Sequence, residues 1–228
     1  MSTDTLPTTS SSAVAEDTAP PECVSAAESA VMLSAGWTDY VTLRDNPDNR
    51  GLRMTFDDGL LEIMTLSSFH ELVALLIHDF ITEWRVARRI PVRPAGSMTL
   101  RSGESKGGLE SDQSYYIQHE QDVRGIESVD LNTAPPPDLA IEVEHRSAAI
   151  HKMPIYGRLG VPEVWRWHDE TLTVHRLVDG GYVERNESEA LPGIPLEKLR
   201  SALQRRMQID ETSLVGEFRQ WLQSAKQQ

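Results

Sequence analysis

The sequence predicts an α/β fold, a mixed central sheet flanked by helices. Three observations lead there. The run 138–144 alternates in polarity with period 2, as a strand does, and Pro135-Pro136-Pro137 stops any helix before it. The run 68–89 carries apolar residues at helical spacing. Along the chain, one such helix is followed by several strands, a second helix and more strands, an order that wraps helices around one sheet.

The elements follow in turn. Residues 1–30 are rich in Ser, Thr, Ala and Pro with only acidic charges, a composition expected of a disordered leader. Order should begin at about 30–40 with a short helix. Runs 52–56 and 60–64 read as two strands, joined by Asp57-Asp58-Gly59, a strong hairpin turn signal. Ser68 with Glu71 three residues on fits a capping box, and Leu72, Val73, Leu76, Phe80, Ile81 and Trp84 form the apolar stripe of the helix that follows. Arg85, Arg88 and Arg89 suit its C-terminal dipole, and Pro91 ends it. Strands are expected near 98–100, 112–118, 138–144, 163–167, 172–177 and 182–185, with 103–108 as a loop. A helix at 151–159 tolerates Pro154 in its first turn. The stretch 196–228 reads as two helices that cap the domain or contact a partner. The expected division is a leader to residue 30, a domain over 31–200 and a helical tail over 201–228.

The chain has 228 residues, 39% hydrophobic and 25% charged, enough for one good-sized soluble domain with tails. No apolar run spans a bilayer and no basic-then-apolar leader is present. The single cysteine, Cys23, rules out an intrachain disulfide and suggests a cytoplasmic address. A net charge of −13 argues against broad nonspecific binding to nucleic acid, which depends on neutralising phosphates, although a locally basic cleft stays open.

Chemistry concentrates on the acidic strand. Asp138, Ala140, Glu142 and Glu144 share one face, Leu139, Ile141 and Val143 the other. Aligned carboxylates repel, so a metal ion, Lys152 or water should compensate them. At roughly 3.3 Å per residue, Asp138 and Glu142 lie about 13 Å apart, too far to share one ion, while Glu142 and Glu144 are marginal. An acid on a neighbouring strand, about 5 Å away, is a better partner for Glu142. Asp112, opening the predicted strand at 112–118, is the candidate. Two acids plus a lysine can hold a divalent ion, generate hydroxide and offset charge on a phosphate.

The sequence resembles the Uma2 family of restriction-endonuclease-like proteins, within the PD-(D/E)XK nuclease superfamily, over residues 31–200. Several segments carry the resemblance: Glu110-Ser111-Asp112 before the strand at 113–117, Pro137-Asp138-Leu139-Ala140-Ile141-Glu142-Val143, Lys152 with Tyr156, and Gly160-Val161-Pro162-Glu163-Val164-Trp165. Leu61-Glu62-Ile63-Met64 followed by His70 also fits. The resemblance implies a restriction-endonuclease-like core, Asp112 and Glu142 as ligands of Mg²⁺ or Mn²⁺, and Lys152 as the catalytic lysine. Two positions depart from the pattern. Ser111 stands where the family has proline, and Glu144 where the superfamily has lysine, which passes the lysine role to Lys152.

Glu62, His70, Asp138 and Glu144 are secondary candidates. The first three have a plainer reading: a solvated strand face for Glu62, a first-turn polar contact for His70, strand entry for Asp138. Tyr156, one turn after Lys152, suits packing. Trp165 and Trp167 suit the core. His145, Arg146 and His151 form either a small phosphate patch or a counterweight to the acidic strand. The expected function is metal-dependent hydrolysis of DNA, with DNA as partner and a homodimer open. The alternative is a non-catalytic module of the same fold for binding nucleic acid or protein, which the −13 charge and Glu144 favour.

Overall fold

The computed structural model describes residues 30–65, 68–127, 129–144 and 149–225, without the side chains of 68–70. The leader therefore falls outside the described residues up to position 29. The first element is not a helix but a strand, β1 (Ala30–Ser34), and the helix α1 follows at Trp37–Asp45. The hairpin forms as expected from β2 (Arg53–Asp57) and β3 (Leu60–Met64). Its turn places Asp58 at φ 38° and Gly59 at φ 98°, a left-handed region that glycine enters without penalty.

The long helix α2 (Ser68–Arg88) buries Val73, Leu76, Ile77, Phe80, Ile81 and Trp84. Four short strands succeed it: β4 (Arg93–Gly96), β5 (Thr99–Ser102), β6 (Gly107–Glu110) and β7 (Gln113–Tyr116). The expected loop at 103–108 thus yields its last two residues to β6. Gly108 has a packing reason to be glycine. A Cβ there would lie 2.6 Å from Tyr40 Cε1, so the ring can sit against bare backbone.

A one-turn helix α3 (Glu120–Val123) leads to β8 (Leu139–Val143). Then come α4 (Lys152–Arg158), β9 (Glu163–His168), β10 (Thr171–Val178), β11 (Gly181–Arg185), α5 (Leu196–Arg205) and α6 (Glu211–Ser224).

The strands form two sheets rather than one. One is antiparallel, in the order β1-β3-β2-β6-β5; the other is the mixed sheet, β11-β10-β9-β8-β7-β4. Within the mixed sheet β8 and β9 are parallel and α4 makes the crossover between them. On one face, Leu139, Ile141 and Val143 join α2, α5 and α6 in the largest core cluster, with Trp165 and Trp167. On the other, Ala140 and Val164 meet α4 and the antiparallel sheet through Ile155, Tyr156, Leu100 and Leu109. The chain passes from one sheet to the other at Ser111-Asp112, between β6 and β7.

Candidate active site

That corner positions the first acid. The Asp112 N–H donates to Ile141 O at 3.1 Å, and Val143 N–H donates to Asp112 Oδ2 at 2.7 Å. Two backbone hydrogen bonds thus lock Asp112 against β8, on either side of Glu142. The pairing Gln113↔Ile141 sets the same register. Burial raises the Asp112 carboxyl, against the pull of Lys152 and the Val143 N–H.

Glu142 is 1% exposed. Its two oxygens are both used: Lys152 Nζ donates to Oε1, and Tyr156 OH donates to Oε2 at 2.8 Å. Lys152 opens α4 and Tyr156 follows one turn later, so a single helical face supplies both donors. Burial pushes the Glu142 carboxyl up to about 7; Lys152 opposes this and Asp112 adds to it. For Lys152, burial alone would pull the ammonium down, but Glu142 and then Asp112 hold it above the usual lysine range. The Tyr156 hydroxyl is raised by burial and then by the same two acids. Asp112, Glu142, Lys152 and Tyr156 therefore share one electrostatic field within the protein.

The other described candidates make hydrogen bonds of their own outside this group, although the charge of Glu144 still acts on Asp112 and Lys152. Asp138 accepts from Ile117 N at 2.6 Å and His119 N at 3.1 Å, and its Oδ1 meets His119 Nδ1 at 2.6 Å. It fixes the turn after β7 and the entry to β8, the plainer of its two readings. Glu144 turns to β9, where Arg166 donates twice, at 2.8 and 2.6 Å. Glu62 is not on a solvated face. It is 1% exposed, its Oε1 accepts from Ala149 N at 2.9 Å, and its buried Oε2 has no partner among the described residues. It pins the segment that leads into Lys152. His70 lies in the first turn of α2, and its side chain falls outside the described residues, as do His145 and Arg146. His151 is exposed.

Three residues carry more than the sequence reading assigned them. Tyr156, read as packing, holds Glu142; its i+4 spacing from Lys152 was the available signal. Glu110 is buried, accepts from Met54 N at 2.7 Å and pairs with Arg44, so it ties β6 to β2 and α1 just before the corner. Glu163 accepts from Trp165 Nε1 at 2.7 Å, Ser188 Oγ at 2.5 Å, Glu189 N at 2.7 Å and Ala190 N at 3.1 Å. Nothing in sequence spacing marks these long-range partners.

Among the described residues no group of three or more His, Cys, Asp and Glu side chains could cage a metal ion. The donors that do converge are two carboxylates, the hard oxygen chemistry that suits Mg²⁺ or Mn²⁺. Asp112 spends one oxygen on Val143 N and borders a cavity of about 280 Å³, shared with Arg53, Ser97 and Gln113. The donor set fits a divalent ion held by two acids, with Lys152 as the internal counter-charge.

Residues 37–208 match the family model Uma2, described as "Putative restriction endonuclease". The chain belongs to the Uma2 family. Its fold is the restriction-endonuclease-like α/β core that membership implies. No curated protein matches the chain. Among solved structures, this Uma2 protein is similar to a "putative nuclease belonging to DUF820 from Anabaena variabilis ATCC 29413". The two are 14% identical with a TM-score of 0.47, over 81% of this chain and 99% of that one.

Proposed function

We propose that this Uma2 protein is a divalent-metal-dependent endonuclease that hydrolyses DNA phosphodiesters. One observation carries the reading. Asp112 from the inter-sheet corner, Glu142 from β8 and Lys152 from α4 converge in one buried field, with Lys152 Nζ on Glu142 Oε1. Asp112 and Glu142 would hold Mg²⁺ or Mn²⁺. A bound ion would supply Lewis-acid polarisation of the phosphate and a water of lowered pKa. The chain's own residues do the rest. Val143 N–H fixes the Asp112 carboxylate, and Tyr156 fixes that of Glu142. Lys152 brings a permanent positive charge to the place where charge grows on the phosphate in the transition state.

The test is plasmid cleavage with Mg²⁺, with Mn²⁺ and with EDTA, by wild type and by Asp112→Asn and Glu142→Gln. Metal-dependent nicking by wild type is expected, reduced about 10²-fold or more in each variant, the order of effect seen when a transition-state stabiliser is removed. Equal nicking by all three proteins rejects the site.

A second reading, a non-catalytic binding module, is favoured by the −13 charge and by the full use of both Glu142 oxygens inside the protein. Under it, Mn²⁺ leaves the melting temperature of wild type and Glu142→Ala equally unmoved.

A further inference from the structure

Around the candidate site, arginines are committed to partners. Arg44 is held by Glu110, Arg101 by Asp45, Arg158 by Asp57 and Arg166 by Glu144; Arg93 donates to the carbonyls of Val123 and Ile126. Arg53 differs. It is half-buried, yet among the described residues its guanidinium makes no hydrogen bond and no ion pair. Five N–H donors are left unspent at the rim of a cavity.

The fold aims this residue at the site. Along β2, Met54 and Phe56 go to a core cluster, so Arg53, Thr55 and Asp57 share the opposite face. That face is turned toward the segment carrying Lys152. Asp57 pairs with Arg158 at the end of α4, and Glu62, opposite Thr55, accepts from Ala149 N. The cavity of about 280 Å³ that Asp112 borders is lined on its other sides by Arg53, Ser97, Gln113 and Glu71. Among the described residues that line it, Arg53 is the one cation. Ser97 and Gln113 bring a hydroxyl and an amide, both able to donate.

We propose that this cavity is a phosphate subsite, in which Arg53 grips a backbone phosphate of the nucleic acid next to the ion held at Asp112. The inference rests on the nuclease reading and deepens it. A guanidinium matches a phosphate with two parallel N–H···O bonds, which a lysine cannot reproduce. The two acids on the cavity wall, Asp112 and Glu71, set a condition. A phosphate enters favourably when a divalent cation neutralises Asp112, so binding is metal-assisted. The rival role for Arg53 is structural, a charge that merely offsets its acidic neighbours.

The experiment measures fluorescence anisotropy of a short fluorescein-labelled DNA duplex against wild type, Arg53→Gln and Arg53→Lys. Each is titrated over a range of salt in Ca²⁺ and in EDTA, with melting temperatures recorded in parallel. Loss of one phosphate contact should weaken Arg53→Gln about tenfold in Ca²⁺ and flatten the slope of log K against log salt by about 1. Arg53→Lys should recover the slope but not the full affinity. Arg53→Gln with the wild-type dissociation constant and slope overturns the inference alone, and a change confined to melting temperature makes Arg53 the structural counter-charge. Wild type that fails to bind the duplex in Ca²⁺ overturns the nuclease reading, and the inference with it.

Discussion

Lys152 sits where two buried acids need a positive charge. Without it, burial would drive both Asp112 and Glu142 toward the neutral form, helped at Glu142 by the charge of Asp112 and at Asp112 by that of Glu144. Its ammonium makes the ionised pair tolerable, and the same charge is what a phosphoryl transition state would draw on. Lys152→Met keeps most of the stem's packing and removes the charge. Cleavage should fall about 10²-fold or more, the scale of one lost electrostatic group, while Mn²⁺ still raises the melting temperature by mass action. The persistence of metal binding separates the two roles, because the proposed ligands are the acids. Undiminished cleavage in a folded Lys152→Met would leave the lysine a structural residue and direct attention to His151 and the neighbouring His145 and Arg146.

The acidic strand shows what an element can and cannot reveal of itself. Period-2 alternation was enough to place Leu139, Ile141 and Val143 in the core and Glu142 opposite, because a strand's geometry is local. The reach of Lys152 back to Glu142 also followed from a short connection. The fate of Glu144 did not, since its partner Arg166 comes from β9, a parallel neighbour whose register only the crossover fixes. β1 was misread as helix because Ala-Val-Met-Leu-Ser has no alternation; all five of its residues are exposed. The Glu144–Arg166 link yields a pH prediction. Burial pushes the Glu144 carboxyl up, but the two Arg166 hydrogen bonds and the surrounding positive charge outweigh it, and the net shift is downward. The unfolded chain therefore takes up the proton first as pH falls. Stability from this link is complete above the ordinary glutamate range and is lost as pH drops through the depressed value. Glu144→Gln should be less stable than wild type at pH 7 and should lose less on acidification, so that urea midpoints of the two proteins converge toward pH 3. Parallel curves across that range would mean that Glu144 and Arg166 contribute no linked stability.

At the scale of the whole molecule, the Uma2 match ends at residue 208, before α6 begins. The sequence left this stretch as a cap or a partner surface, because an amphipathic helix does not say what it will cover. Packing decides the matter. Leu214, Phe218 and Leu222 are buried in the same cluster as α2 and β8, and the Phe218 ring meets Phe80 edge-on at 5.1 Å. Arg219 adds a forked pair with Glu83, at 2.8 and 2.6 Å, on the exposed rim. These two contacts should differ sharply in worth. Phe218→Ala leaves a cavity in a packed core and should cost about 3–5 kcal/mol. For a chain of this length that corresponds to a fall in melting temperature on the order of 10 °C. Arg219→Ala removes a surface pair and should cost less than about 1 kcal/mol. The Mn²⁺ response of folded Phe218→Ala should match wild type, because α6 lies on the face of β8 away from Glu142. Thermal melts of both variants, with and without Mn²⁺, check all three statements. A Phe218→Ala protein that melts within a degree or two of wild type would make α6 an appendage, and a lost Mn²⁺ response would mean that the helical layer positions the site through β8.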